Sequence, residues 1–125
     1  MGFILHITPR AAWDEALARG IYEPASLRAE GFIHCSAIDQ AADTANAFYA
    51  GQRGLVLLCI DAQRVTAPLR YEPPAGHVPH GSAAAQLFPH LYGALHLDAV
   101  TAVVDFAPGA DGIFRLPERI SHLTR

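Results

Sequence analysis

Three short segments of the chain each place a histidine two residues before a side chain that carries a hydroxyl group. In a β-strand, residues i and i+2 lie on the same face, so each histidine shares a face with its partner. Imidazole exchanges protons near neutral pH and donates hydrogen bonds to phosphate oxygens. If the segments are neighbouring strands, their histidines line one cleft for a small molecule. The alternative is that the histidines have only a structural role. The pairs are His6 with Thr8, His34 with Ser36, and His90 with Tyr92.

A fourth polar pair lies on a short extended segment, where Arg70 and Glu72 share a face. An arginine fork suits a phosphate or a carboxylate. A glutamate can act as a base or hold a ribose hydroxyl. The alternative interpretation is a solvated pair on an edge strand.

A cysteine nucleophile is a second hypothesis, because Cys35 lies between His34 and Ser36. Such a thiol needs a nearby base and a lowered pKa. Alternation, however, places His34 and Cys35 on opposite faces of a strand. We therefore expect Cys35 in the core, and we expect the same for Cys59, which lies in an apolar run.

A metal site is a third hypothesis, because His77 and His80 are three residues apart and His90 lies beyond them. Two or three imidazoles can hold zinc, which would make the protein a metal-dependent hydrolase. Pro79 lies between the first two histidines, and no helix is expected there to set their spacing. We expect no metal, and the hydrolase stays as an alternative.

The composition excludes several classes of function. The chain has no lysine among its nine basic residues, which excludes a lysine Schiff base and a P-loop lysine. Neither GxGxxG nor GxxxxGK[ST] is present. Charged residues make up 17% of the chain and the net charge is −3, which argues against capture of nucleic acid. No leader pattern and no apolar run of about 20 residues is found, so a cytoplasmic protein without a membrane span is expected.

Alternation and helical periodicity predict one α+β domain over residues 1–125, with a few helices and a split sheet of mixed or antiparallel strands. The run 54–61 is the most continuous apolar segment and predicts a buried central strand. Residues 73–87, rich in proline and glycine, predict a long loop. The other predicted strands are 3–8, 32–36, an edge strand at 69–72, 88–93, 95–106 with an interruption near Asp98, and 113–115.

Two of the three predicted helices begin at polar capping residues, and all three end at glycines. Thr8 precedes Pro9 as an N-cap before a first helix that ends at Gly20. A short helix over 24–30 stops at a glycine. Ser36 is placed to cap the next helix, with Asp39 as a capping-box residue. An apolar stripe that includes Phe48 runs along that helix to Gly51.

Four segments together resemble a bacterial family catalogued as domain of unknown function 952. That family is grouped with the ADP-ribosyltransferase-like fold, and the likeness covers nearly the whole chain. The resemblance implies a split β-sheet whose cleft binds NAD in a bent form. The segments are SLRAEGFIHCS (26–36), FYAGQRGLVLLCID (48–61), LRYE (69–72) and FPHLYGALHLDAV (88–100).

The resemblance also implies roles for individual residues. His6 matches the histidine that holds the ligand from the first strand. His34 matches the second catalytic position, with Ser36 as the alternative. His90 and Tyr92 stand where the wider group usually has a glutamate, and the nearest upstream acid is Glu72.

We therefore expect a protein that binds a nucleotide-like ligand, with NAD as the suspected cofactor. The expected activity is that of a transferase acting on NAD or on a related ADP-ribose or phosphate compound. The alternative is a binding module on the same fold that has no catalysis. The sequence does not predict an oligomeric state. The expected catalytic residues are His34, His90, Tyr92 and Glu72, and the expected ligand-binding residues are His6, Thr8, Ser36 and Arg70.

Overall fold

The computed structural model describes residues 2–74 and 86–121 of the 125-residue chain. The predicted loop therefore lies mostly outside the described residues. The strands are β1 (Phe3–Pro9), β2 (Ile21–Tyr22), β3 (Ile33–His34), β4 (Leu55–Asp61), β5 (Leu69–Glu72), β6 (Phe88–Leu91), β7 (Leu95–His96) and β8 (Val100–Phe106). The helices are α1 (Arg10–Arg19), α2 (Ala25–Glu30), α3 (Ala41–Phe48) and α4 (Glu118–Ser121).

The central sheet has the strand order β1-β4-β8, with both pairs antiparallel. Its middle strand is the apolar run, and every residue from Leu55 to Ile60 is at most 3% exposed. A strand buried on both faces needs apolar side chains at consecutive positions, which explains the run. The prediction of a buried central strand at 54–61 is confirmed.

Apolar side chains cover both faces of this sheet and form two cores. One core joins Ile4, Val56 and Leu58 to Trp13 and to the inner residues of the other strands. The second core lies on the opposite face, beneath α3 and the C-terminal part of the described chain. Its members are Leu5, Ile7, Ala41, Ala45, Leu55, Leu57, Cys59, Val104, Phe106, Phe114 and Ile120.

A second three-stranded sheet has the order β3-β6-β5, and a two-stranded sheet pairs β2 with β7. All strand pairs in the described residues are antiparallel. Residue 36 joins the second sheet to the central one, since Leu5 N donates to Ser36 O at 2.8 Å and Ser36 N donates to Leu5 O at 2.7 Å. The architecture is therefore α+β with antiparallel sheets and few helices, as expected.

Two predicted helix ends are confirmed. Gly20 and Gly31 follow α1 and α2 in the left-handed conformation, with φ of 84° and 92°, and their amides close the last turns. A side chain at either position would strain the backbone, which is why glycine ends both helices.

Both predicted side-chain caps are wrong. Pro9 is the N-cap of α1, and the Thr8 hydroxyl bonds to Tyr22 instead. Gln40, without a side-chain cap bond, precedes α3, so the helix starts later than Ser36 and Asp39 predicted. A tertiary hydrogen bond takes the Thr8 hydroxyl, while Ser36 Oγ lies 3.5 Å from Thr44 Oγ1 in the middle of α3 rather than at a backbone amide of its first turn.

The C-terminal third follows the predictions in part. The expected interruption near Asp98 is a short 3₁₀ turn over Leu97–Ala99 between β7 and β8. No strand forms at 113–115, and α4 follows instead. Phe48, predicted in the buried stripe of α3, is 52% exposed. Within the part of the chain that the structure describes, no helix is long and apolar enough to cross a membrane.

Candidate functional site

One face of the β3-β6-β5 sheet gathers most of the predicted site residues. The register pairs His34 with His90 and His90 with Arg70, so these three residues form a row across the sheet. Directly paired residues point to the same face. We call the following residues the site face: Phe32, His34, Arg70, Glu72, His90 and Tyr92.

Four rings of the site face pack against one another around Phe32. The Phe32 ring stacks on the His90 imidazole, with centroids 4.2 Å apart and an interplanar angle of 23°. The centroid of the Phe32 ring also lies 4.7 Å from that of the His34 ring and 5.2 Å from that of the Tyr92 ring. The two imidazoles meet edge to face at 5.7 Å. The ring packing limits the orientations open to both imidazoles.

A carboxylate orients the buried imidazole. His90 Nδ1 donates to Glu72 Oε1 at 2.8 Å, and the Tyr92 hydroxyl donates to the same oxygen at 2.6 Å. The His90 side chain is 4% exposed and that of Glu72 is 33% exposed. Within residues 2–74 and 86–121, no hydrogen bond is made to His90 Nε2 or to Glu72 Oε2.

Hydrogen bonding shifts the titration of both oxygen acids in this network. The bonds from Tyr92 and then from His90 lower the pKa of Glu72. The bond to Glu72 raises the pKa of Tyr92. At neutral pH the network therefore holds a carboxylate that accepts two hydrogen bonds and a phenol that keeps its proton.

The second imidazole has a carboxylate of its own. His34 Nε2 bonds to Glu30 Oε2 at 3.0 Å, and both side chains are just under half exposed. Glu30 ends α2 and His34 lies in β3, so the left-handed turn at Gly31 brings them together. The site face thus presents two imidazoles, each bonded to a separate glutamate.

The cation of the site face is Arg70, which is exposed on the edge strand. Its guanidinium carbon lies 5.6 Å from the centre of the Tyr92 ring. Beyond Tyr92 the chain passes close to the segment before β5: Tyr92 N donates to Pro68 O at 2.8 Å. A Cβ on Gly93 would lie 2.6 Å from the Cβ of Ala67, so this crossing requires glycine.

The structure does not bring His6 to the site face. The His6 ring is 8% exposed, and its Nδ1 lies 2.6 Å from the backbone oxygen of His34. Its Nε2 lies 2.7 Å from the Tyr22 hydroxyl, which is 2.9 Å from Thr8 Oγ1. The expected convergence of three imidazoles therefore holds for His34 and His90 but is wrong for His6, which lies against the backbone of β3.

The direction of this hydrogen-bond chain follows from its two ends. A carbonyl oxygen only accepts, so His6 Nδ1 carries the proton and donates to His34 O. Burial, outweighing the bond to His34, lowers the pKa of His6 from 6.5 to about 4, so the ring is neutral at pH 7 and Nε2 is an acceptor. Tyr22 then donates to His6 and receives a hydrogen bond from Thr8. Burial also raises the pKa of Tyr22 to about 12.

Ser36 and Thr8 also lie away from the site face. Ser36 is 4% exposed, with its Oγ 3.5 Å from Thr44 Oγ1, and its backbone forms the bridge to Leu5. Thr8 borders a depression of about 320 Å³ together with Tyr22, Arg19 and Glu23. That depression is lined by residues between Thr8 and Ala25 and lies apart from the two imidazoles.

Cysteine and metal chemistry are not supported by the described residues. Cys35 and Cys59 are free and buried, and burial raises the pKa of Cys35 to about 12. Because a nucleophilic cysteine needs the opposite shift, the hypothesis of a reactive Cys35 is wrong. In residues 2–74 and 86–121 no three His, Cys, Asp or Glu side chains are grouped to hold a metal. His77 and His80 lie outside the described residues.

Sequence reasoning missed Phe32, Glu30 and Tyr22. Alternation places Phe32 on the same face as His34, but no pattern in the sequence indicated that its ring would pack against both imidazoles. Glu30 lies four residues before His34 across a helix end, which carried no signal without the turn geometry. Tyr22 is brought to His6 by α1 and β2 together, which no local pattern indicates.

The fold and the site face define a class: a small α+β protein that displays paired imidazoles and carboxylates on one sheet of a split antiparallel arrangement. Residues 7–103 match the family model described as "Protein of unknown function (DUF952)". The chain therefore belongs to this family, as its motifs indicated. No curated protein matches the chain.

Solved structures of one bacterial protein are similar to this chain over nearly its whole length. The crystal structure of protein CC0527 from Caulobacter crescentus is 38% identical, with a TM-score of 0.79, covering 95% of this chain and 98% of that one. A double-methionine variant of the same protein gives the same values. The solution NMR structure of CC0527 is 39% identical with a TM-score of 0.73, covering 98% of this chain and 97% of that one.

Proposed function

We propose that the protein binds NAD or a related ADP-ribose-containing nucleotide on the site face and acts on it as a transferase. The observation that carries this proposal is the network in which His90 and Tyr92 both bond to Glu72, next to His34 and Arg70. The ADP-ribosyltransferase-like character of the split sheet is part of the proposal, and it is supported by the resemblance of the four sequence segments.

The chemistry of the site face fits such a ligand. NAD carries two phosphates, several ribose hydroxyls and two flat rings. Arg70 is exposed and matches a phosphate. Glu72 Oε2 accepts no bond from the described residues and suits a ribose hydroxyl, while Tyr92 offers a partly exposed aromatic surface.

The same residues have distinct roles in the proposed activity. When bound, NAD supplies a ribose whose bond to nicotinamide can be broken. Glu72 holds the proton of His90 on Nδ1, so Nε2 is the nitrogen that exchanges a proton with the ligand or with an acceptor. His34 presents its ring from the neighbouring strand. In this proposal Glu72 is the carboxylate of the site. It lies on β5, whereas proteins of the ADP-ribosyltransferase-like group usually have their glutamate on the strand that corresponds to β6.

Two measurements test the proposal in sequence. A thermal-shift series with NAD, ADP-ribose, AMP and inorganic phosphate should show stabilisation by NAD and ADP-ribose. A ligand present at about 100 times its dissociation constant adds roughly 2.7 kcal/mol to the free energy of unfolding. Chromatography of an NAD incubation should then show free nicotinamide. Nicotinamide release supports the transferase, whereas stabilisation without release supports the binding module instead.

Matched variants locate the binding site. Arg70→Ala removes an exposed cation of the site face and should weaken NAD binding about tenfold, the worth of one charge-assisted hydrogen bond to a phosphate. Arg53→Ala removes an exposed arginine elsewhere and should leave binding unchanged. Equal NAD affinity in wild type and Arg70→Ala would contradict the placement of the ligand on the site face. No stabilisation by any of the nucleotides would contradict the function itself.

A further inference from the structure

We infer that His34 and His90 form an acid–base pair that cleaves a phosphate ester of ribose, in which Glu30 and Glu72 orient the two imidazoles. The inference rests on the proposed function, because it uses the same nucleotide site and adds a second reaction there, at a phosphate ester rather than at the bond to nicotinamide. Two separate carboxylate–imidazole pairs on one face carry it.

Among the described residues, each imidazole uses one ring nitrogen to bond to its glutamate. Glu30 occupies His34 Nε2 and Glu72 occupies His90 Nδ1. Hydrogen bonds within residues 2–74 and 86–121 leave His34 Nδ1 and His90 Nε2 without a partner. The ring centroids are 5.7 Å apart, so the two imidazoles are close enough to act on one phosphate group. Phe32 packs against both imidazoles and restricts their planes.

The charges around the rings suit an anionic phosphodiester. Within residues 2–74 and 86–121, the charged and titratable groups that face the two imidazoles are Glu30 from α2, Arg70 and Glu72 from β5, and the Tyr92 phenol after β6. With one imidazole protonated, the two carboxylates are balanced by that imidazolium and by Arg70. The described residues of the site then carry no net charge to repel the substrate, and the guanidinium can bind a phosphate oxygen.

A ribose oxygen is a poor leaving group unless it receives a proton as its bond to phosphorus breaks. A pair of imidazoles can supply both the base and the acid that this reaction needs. The oxygen of a water molecule forms a bond to phosphorus while one neutral imidazole takes the proton of the water. The bond from phosphorus to the ribose oxygen breaks, and that oxygen keeps the electron pair. The other imidazole, protonated, donates its proton to this oxygen, so a cyclic or bridged phosphodiester becomes a monoester and a hydroxyl.

The test uses 2′,3′-cyclic AMP as the probe, with chromatography of the AMP isomers formed. The expected result is hydrolysis with an optimum in pH, because one imidazole must be neutral while the other is protonated. His34→Gln keeps a donor towards Glu30 and His90→Asn keeps one towards Glu72, but each lacks the free nitrogen. Each should lower kcat at least about 100-fold and remove one limb of the pH profile. His96→Gln, an exposed histidine on β7, should keep full activity.

Glu30→Gln tests the positioning role separately. Because Glu30 holds the ring rather than the substrate, kcat should fall while KM stays unchanged. Hydrolysis that persists in both imidazole variants would overturn the inference. Stabilisation by NAD without any hydrolysis of 2′,3′-cyclic AMP would overturn it and leave the proposed function standing, whereas the absence of both binding and hydrolysis would overturn both.

Discussion

Mild acid should destabilise the native protein through His6. The pKa of this buried ring falls from 6.5 to about 4 on folding, chiefly because burial disfavours the charged form. Above pH 6.5 both states hold a neutral ring, so stability does not depend on this group. Between pH 6.5 and 4 the unfolded chain binds a proton that the native state does not. At about 1.4 kcal/mol for each pH unit, about 3 kcal/mol of the free energy of unfolding is lost across this range.

Urea unfolding followed by circular dichroism at several pH values between 7.5 and 4 measures this loss. His6→Gln removes the titration, so the difference in unfolding free energy between wild type and variant should shrink as pH falls. His96→Gln is the matched control, because His96 is exposed on β7, and it should change the wild-type slope little.

Parallel pH curves for wild type and His6→Gln between pH 6.5 and 4 would refute the reasoning. If the variant does not fold, the wild-type ring protons answer the same question by NMR. Their shifts should show the neutral imidazole of His6 down to pH 5 and an inflection near pH 4. An inflection near 6.5 would mean that the buried ring does not resist protonation.

Three other perturbations follow from the hydrogen bonds, thiols and turns described above. Tyr22→Phe leaves His6 Nε2 buried without its donor and should lower the free energy of unfolding in urea by about 1–3 kcal/mol. An unchanged free energy of unfolding would contradict a stabilising role for this hydrogen bond. Cys35 and Cys59 should resist a thiol reagent at pH 8 and react fully in urea, whereas rapid native labelling would contradict their burial. Gly31→Ala should cost about 1–2 kcal/mol, because alanine must adopt the left-handed conformation after α2, and an unchanged unfolding midpoint would contradict this strain.

The central sheet was predictable because its local pattern and its environment agree. Residues 55–60 are apolar throughout, and this part of β4 is buried on both faces. The interruption near Asp98 was also readable, since a charged residue breaks an otherwise apolar run between β7 and β8. In these segments the burial of side chains determines the structure, and buried strands can be identified from their runs of apolar residues.

The helix starts were less predictable because capping side chains have competing partners. Thr8 and Ser36 are good caps by residue type, yet Thr8 bonds to a tyrosine from β2 and Ser36 lies in the bridge to β1. A tertiary hydrogen bond of this kind depends on where distant strands lie. No local rule contains that information.

For the candidate site, the sequence predicted which face of its strand each side chain lies on, but not which strands lie next to each other. Alternation placed His34 and His90 correctly, but their pairing depends on the register of β3 and β6, which the sequence does not show. For His6 the alternation was misleading. β1 is buried on both faces, so its polar side chains mark an internal hydrogen-bond chain rather than an open cleft.

The bridge between Leu5 and Ser36 has a consequence for how this architecture can diversify. β1 is shared, since its Leu5 pairs with β4 on one edge and with residue 36 on the other. Substitutions of exposed β5 residues such as Arg70 therefore change the site face without touching the β1-β4-β8 ladder, whereas β6 also supplies Leu91 to one core. The exposed positions of the edge strand β5 can therefore vary at less risk to folding than the positions that build the two cores.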